Sequence, residues 1–149
     1  MDFAPTPAER RLVERCRELA AAFAIRSAEH DREASHPSEN YERLRREGFL
    51  ALNLGEEWGG AGVGLLGHTL AFEALAEGCP STALAFNMHA SVVMPVMLSP
   101  EVADDRKRRL ADLVVRQRKL IAGNFSEPGT TSLVGARPLA AGARRVDGG

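Results

Sequence analysis

The strongest hydrophobic pattern lies near the start of the chain, where Leu12, Cys16, Leu19 and Phe23 recur at spacings of four, three and four. Arg10, Arg11, Glu14, Arg15, Arg17 and Glu18 fall mostly on the opposite side, so the segment predicts an amphipathic helix with one buried stripe. Its start is marked by Thr6-Pro7-Ala8-Glu9, a capping-box threonine, a proline at the first helical position and a glutamate three residues after the cap. Cys16 lies in the stripe and reads as a core thiol. Residues 28–38 are polar and contain His36-Pro37, which predicts a connection. A second, short helix is expected over residues 39–47, with Tyr41 and Leu44 inward and Gly48 as its stop. Residues 49–54 are apolar but too short to classify, and they run into a glycine-dense loop at residues 55–64.

The next two segments form the expected heart of the core. Residues 65–77 are apolar around most of a helix except at His68, Thr69 and Glu73, and stop at Gly78. Pro80 opens a second apolar run to about Leu98 that includes Leu84, Phe86, Met88, Val92, Val93, Val96 and Met97. All-round apolarity fits a helix inside a bundle or across a membrane. A span takes about 20 apolar residues, and this run is interrupted by Asn87, His89 and Pro95, so a buried core helix is expected. Pro95 is expected to kink it or end its regular part. Ser99-Pro100-Glu101 then reads as the start of another helix, with Val102, Leu110, Leu113 and Val114 facing inward. Residues 120–122 read as a short buried strand. The fold class is therefore mainly α: a helical bundle over residues 1–118, followed over residues 119–149 by the first strand or strands of an incomplete β-domain.

Composition narrows the functional classes. The 149 residues are 44% hydrophobic, enough for a core, and the net charge is −1, from 19 basic and 20 acidic side chains. That balance implies no general attraction to nucleic acid or to a membrane surface. The basic run Arg106-Lys107-Arg108-Arg109 adjoins Asp104 and Asp105 and reads as a solvated helix face. Cys16 and Cys79 lack metal-type spacing and fit free thiols in a cytoplasmic setting, and the N-terminus has no apolar signal core. There is no zinc pattern, no P-loop and no self-contained nucleophile–base arrangement. Gly62, Gly64 and Gly67 match a GxGxxG spacing, but a helix follows where a Rossmann unit needs a second strand, so the match is rejected. His30, His36 and His68 read as surface or loop residues. Asn87 and His89 interrupt the buried run, and each is expected to find a buried hydrogen-bond partner.

One stretch carries more specific chemistry. After residues 120–122 comes Ser126-Glu127-Pro128-Gly129-Thr130-Thr131-Ser132-Leu133, a turn followed by hydroxyl residues. It resembles the flavin-contacting Thr-Glu-Pro-x-x-Gly-Ser-Asp signature of the acyl-CoA dehydrogenase family. The loop at residues 55–64 is similar to that family's Pro-Glu-x-x-Gly-Gly-x-Gly loop, with Gly55 in place of the proline. The resemblance runs from about residue 10 to the end, and implies the family's N-terminal helical domain and the start of its middle β-domain. It implies FAD as cofactor, with Phe125 and Ser126 beside the isoalloxazine, and Thr131 and Ser132 near its ribityl-pyrophosphate arm. Thr131 stands where the family has glycine, and Leu133 where it has aspartate.

The resemblance also implies an acyl-CoA substrate, with Leu84, Asn87, Met88 and Ser91 walling the acyl chain and Ser132 touching the thioester arm. Asn87 would form a polar pocket floor. The implied reaction is α,β-dehydrogenation of an acyl-CoA, with an electron-transfer flavoprotein or oxygen as acceptor and a homo-oligomeric whole protein. The family's carboxylate base belongs to a later helical domain, so no residue here is assigned to it, and Glu127 is a loop residue. Two alternatives stay open: a flavin-dependent monooxygenase or acyl-CoA oxidase on the same scaffold, suggested by His89 and the altered Thr131-Ser132-Leu133, or a truncated, non-catalytic helical scaffold ending at Gly149.

Overall fold

The computed structural model describes residues 3–123, and these form five α-helices joined by short turns. Helix α1, Pro7–Glu33, begins as its sequence dictates: the Thr6 side chain accepts from the Glu9 N–H, and the Glu9 carboxylate accepts from the Thr6 N–H at 2.8 Å. Cys16, Leu19 and Phe23 are buried, as the stripe predicts. The helix then continues through the segment expected to be a connection, and ends only where Ala34 turns left-handed at φ 49°. Polar composition was the wrong guide there. Those turns are mostly solvent-exposed, and their one buried residue, His30, is held by Ser35 and Glu39, each 2.8 Å from a ring nitrogen.

Helix α2, Ser38–Arg46, buries Tyr41 and Leu44, and Gly48 follows at φ 81°. Glu47 ties α2 to α1. Its carboxylate, mostly buried, accepts from both Arg15 and Arg43, and their hydrogen bonds hold it below the usual carboxylate range although burial alone would raise it. Residues 49–54 resolve into a 3-10 turn, Phe49–Ala51, followed by a second, Glu56–Trp58. The glycine-dense loop folds back on these turns through main-chain bonds: Ala61 N–H donates to the Ala51 carbonyl, Gly62 N–H to Leu54, and Val63 N–H to Leu52. The helix Leu65–Ala76 is followed by a second helix, Pro80–Leu98, where a dinucleotide-binding unit has its second strand.

Helix α3, Leu65–Ala76, lies along α1 on one side and α4, Pro80–Leu98, on the other. α4 is long and apolar enough to cross a membrane by length and composition, but only 39% of its most apolar window is buried among the described residues. The expectation of a fully buried helix is thus corrected. Thr82, Phe86, His89, Val93 and Met97 face the core, while Leu84 and Leu98 are about 70% exposed (68% and 73%). α4 also runs through Pro95 to Leu98, where Ser99 caps it in extended conformation. Ser99-Pro100-Glu101 does not start a helix. Its serine hydroxyl accepts from the Glu101 N–H, and α5, Asp104–Ala111, begins after Ala103 and ends in a π-helical turn, Asp112–Arg116. A residue before proline is pushed out of the helical region, so Ser99 terminates α4 instead of opening the next element.

Residues 120–122 form no strand: Leu120 is exposed, and the Ile121 N–H bonds to a side chain instead of a sheet ladder. Among the described residues there is no strand, and the remainder of residues 119–149 lies outside them. The core joins Leu19, Phe23, Leu44, Leu54, Leu75, Phe86, Val93 and Val114 from five elements and the loop between them. Burial pushes the Cys16 thiol up to about 12, so it behaves as a small apolar side chain.

In the turn after α3 sits Gly78, where an added Cβ would run into the Ala20 backbone of α1. Gly78→Ala is expected to destabilise the protein by roughly 1–3 kcal/mol, read as a lowered thermal midpoint. An unchanged midpoint would show that the two helices can part at no cost.

Candidate functional site

The exposed side of α4 and the adjoining side of α3 enclose an apolar groove of about 700 Å³. Leu65, Phe72 and Ala76 line it from α3, and Ala83, Leu84, Ala90, Ser91, Met94 and Pro95 from α4. Spacings of three, four and seven along α4 place Leu84, Asn87 and Ser91 on this face, and all three line the groove. Met88 is 49% exposed and lies outside the lining. The Ser91 hydroxyl donates to the Met88 carbonyl at 2.8 Å, which keeps it local to its own helix.

A buried polar network reaches the groove from α3, α4 and the loop before α3. His68, expected at the surface, is buried on α3 with its ring against Phe72. Its Nδ1 lies 3.1 Å from Asn53 Oδ1, and its Nε2 lies 2.8 Å from Asn87 Oδ1. Asn53 is fixed in turn, because its amide nitrogen donates to the Val63 carbonyl at 2.9 Å. Its Oδ1 must therefore accept, so His68 Nδ1 carries a proton. The other ring nitrogen, Nε2, faces the Asn87 side-chain oxygen. Asn87 is half-buried and lines the groove. Sequence reasoning found Asn87 but missed His68, because its partners lie 15 and 19 residues away.

His89, two residues beyond Asn87, faces the other way. Both of its ring nitrogens are engaged, Nε2 with the Leu50 carbonyl and Nδ1 with the Ile121 N–H, each at 2.9 Å. It offers no free nitrogen to the groove. The single carboxylate lining the groove is Glu73, which is exposed. Among the described residues no group of three or more histidine, cysteine or acidic side chains could hold a metal ion. Phe125, Ser126, Thr131 and Ser132, the residues expected to contact FAD, lie outside the described residues.

Cys79 ends the groove-bearing pair of helices at the α3–α4 turn. Its sulfur meets the Thr82 hydroxyl at 3.1 Å and the Ser81 hydroxyl at 3.4 Å, and Thr82 also accepts from Asn40 of α2 at 3.0 Å. Burial would raise this thiol, but the hydrogen bonds from Ser81 and Thr82 prevail and bring it to about 7.

A family profile described as acyl-CoA dehydrogenase, N-terminal domain, matches residues 6–114. The chain is 30% identical over 135 residues to the mitochondrial short-chain specific acyl-CoA dehydrogenase of Bos taurus, covering 89% of this chain and 32% of that protein. It is 34% identical over 85 residues to a putative acyl-CoA dehydrogenase of Bacillus subtilis (strain 168), covering 57% and 22%. It is also 33% identical over 113 residues to an amino sugar nitrososynthase of Streptomyces peucetius, covering 75% and 28%. The chain thus spans about a third or less (32%, 22% and 28%) of the length of these relatives.

Because His68 satisfies two asparagine side chains at once, His68→Leu leaves both short of a partner. The expected cost is roughly 1–3 kcal/mol, seen as a lower urea midpoint with an unchanged slope. A variant as stable as the parent would remove the network from the site.

Proposed function

The chain belongs to the acyl-CoA dehydrogenase family, whose N-terminal domain it matches over residues 6–114, and from that premise we propose that the protein is an FAD-dependent oxidoreductase that dehydrogenates an acyl-CoA thioester at its α,β-bond. The observation that carries this reading is the groove on α4: an apolar channel in which Leu84, Asn87 and Ser91 stand together with a buried polar point at His68. An acyl chain is a run of methylenes, and an apolar channel gains roughly 0.8 kcal/mol for each one buried. Leu84 and the neighbouring aliphatic side chains bind and orient that chain and exclude water from it. Asn87 limits its length, because a methylene driven against the amide displaces a hydrogen-bonding partner without replacing it.

FAD, when bound, supplies the hydride acceptor. Phe125, Ser126, Thr131 and Ser132 are the residues of this chain proposed to hold it, by their match to the family's signature. The acceptor of the electrons would be an electron-transfer flavoprotein, and the working form a homo-oligomer. The two free thiols support a reducing, cytoplasmic setting.

A second reading keeps the scaffold and gives the electrons to oxygen, as an oxidase or monooxygenase. The similarity to an amino sugar nitrososynthase supports keeping it, whereas His89, with both nitrogens engaged, lends it no catalytic base.

The test uses the natural protein supplied with FAD and titrated anaerobically with straight-chain acyl-CoA thioesters of increasing length. The expected result is a yellow protein whose flavin band is bleached by the shorter chains. A colourless protein, or a flavin that no thioester bleaches, overturns the reading; turnover that consumes oxygen and ignores the flavoprotein acceptor selects the second one. Asn87→Ala is expected to shift preference toward chains longer by one or two methylenes, by about tenfold or more in relative kcat/KM.

A further inference from the structure

The one buried histidine of α4 makes two hydrogen bonds of opposite kind. Nε2 lies 2.9 Å from the Leu50 carbonyl oxygen, which can only accept, so Nε2 carries a proton. Nδ1 lies 2.9 Å from the Ile121 amide nitrogen, which can only donate, so Nδ1 presents a lone pair. A single form of the ring, the neutral Nε2–H tautomer, satisfies both. The ring is 3% exposed and packs beside Phe86, with centroids 5.8 Å apart. It therefore joins three parts of the chain: the middle of α4, the 3-10 turn Phe49–Ala51, and the segment by which the chain leaves the helices.

That exit segment has other anchors, but they lie nearer the surface. The Lys119 N–H donates to the Leu113 carbonyl at 2.9 Å, and the half-buried Arg45 donates to the Arg118 carbonyl at 3.1 Å. Among the described residues of this segment, the Ile121 bond is the one that reaches α4. Ile121 itself is half-buried against the core, so the bond fixes an apolar contact as well as a direction.

We propose that His89 is a positioning residue: as the neutral Nε2–H tautomer it pins residues 119–123, the chain's exit from the helices, to α4, and releases that segment when the ring gains a second proton. A proton on Nδ1 would face the Ile121 N–H, setting two donors against each other out of reach of solvent, which costs more than losing one hydrogen bond. Among the described residues burial and the Leu50 carbonyl act on the ring, and no acid does. His89 is the sole ionisable residue of α4, and the turn Phe49–Ala51 carries none. From α2, Arg45 is engaged by Glu42 and the Arg118 carbonyl. Arg118 and Lys119 on the exit segment are exposed cations, which oppose a second positive charge.

Burial holds the imidazole below the ordinary histidine value of 6.5, with the Leu50 carbonyl acting weakly the other way. A histidine depressed in the folded state contributes stability that is fully present above the unfolded value and is lost as pH falls below it. The pin is fastened at neutral pH and weakens only below the ordinary histidine value.

The consequence for FAD rests on the proposed function; the pin itself does not. The experiment is hydrogen exchange by mass spectrometry on the natural protein, following the peptide that spans residues 118–123, together with visible circular dichroism of added FAD. His89→Leu is expected to lower the protection of that peptide about tenfold, to weaken FAD binding, and to leave the peptide covering the first half of α4 protected. His89→Gln offers a donor and an acceptor that do not titrate. It should restore both properties and abolish the fall in protection that the parent shows between about pH 7.5 and 5.5. Equal protection in the parent and His89→Leu overturns the pin. Lost protection with unchanged FAD binding overturns the positioning role. A parent that takes up no FAD at all defeats the proposed function and leaves the exchange result to decide the pin alone.

Discussion

A helix that is apolar around its whole circumference needs neighbours on every side, and α4 has them on only one among the described residues. α3, α2 and α5 cover Thr82, Phe86, His89 and Val93, while Leu84 and Leu98 stay in solvent. The other features of the molecule are arranged about this asymmetry. α1 and α3 pack as tightly as a glycine at position 78 permits, which anchors α3 beside α4. The groove is what remains where two helices meet and a third layer is not provided. An unfilled apolar surface of this kind marks a place where something binds, and an acyl chain is the occupant proposed for it.

Much of the fold was legible because its signals are local. The Thr6–Glu9 capping box and Pro7 fix the start of α1 within four residues, and Gly48 and Gly78 mark stops through backbone properties that need no distant partner. Errors arose where local rules competed or where partners were remote. Residues 28–33 look like a loop by composition, yet they continue α1 because only His30 among them has to be buried. Ser99-Pro100 satisfies the rule for a helix start and the rule for a helix end equally well, and the constraint of proline on the preceding residue prevailed.

The candidate site was half legible. Asn87 stands out because an amide in an apolar run demands a partner. That partner, His68, could not be recognised, since a single histidine in an otherwise apolar helix looks the same whether it faces water or a second asparagine. His89 was noticed for the same reason as Asn87, but its direction on the helix was not readable. A two-residue step along α4 turns a side chain by roughly 200°, which separates a groove-facing amide from a core-facing imidazole.

The glycine-rich loop has an effect beyond its own shape. Val63 and Asn53 are its two ends, drawn together by main-chain bonds between Val63 and Leu52 and between Ala61 and Ala51. The carbonyl that orients Asn53 belongs to Val63. Asn53 orients His68, and His68 orients Asn87. The polarity displayed in the apolar groove is thus set by peptide groups of a loop two elements away.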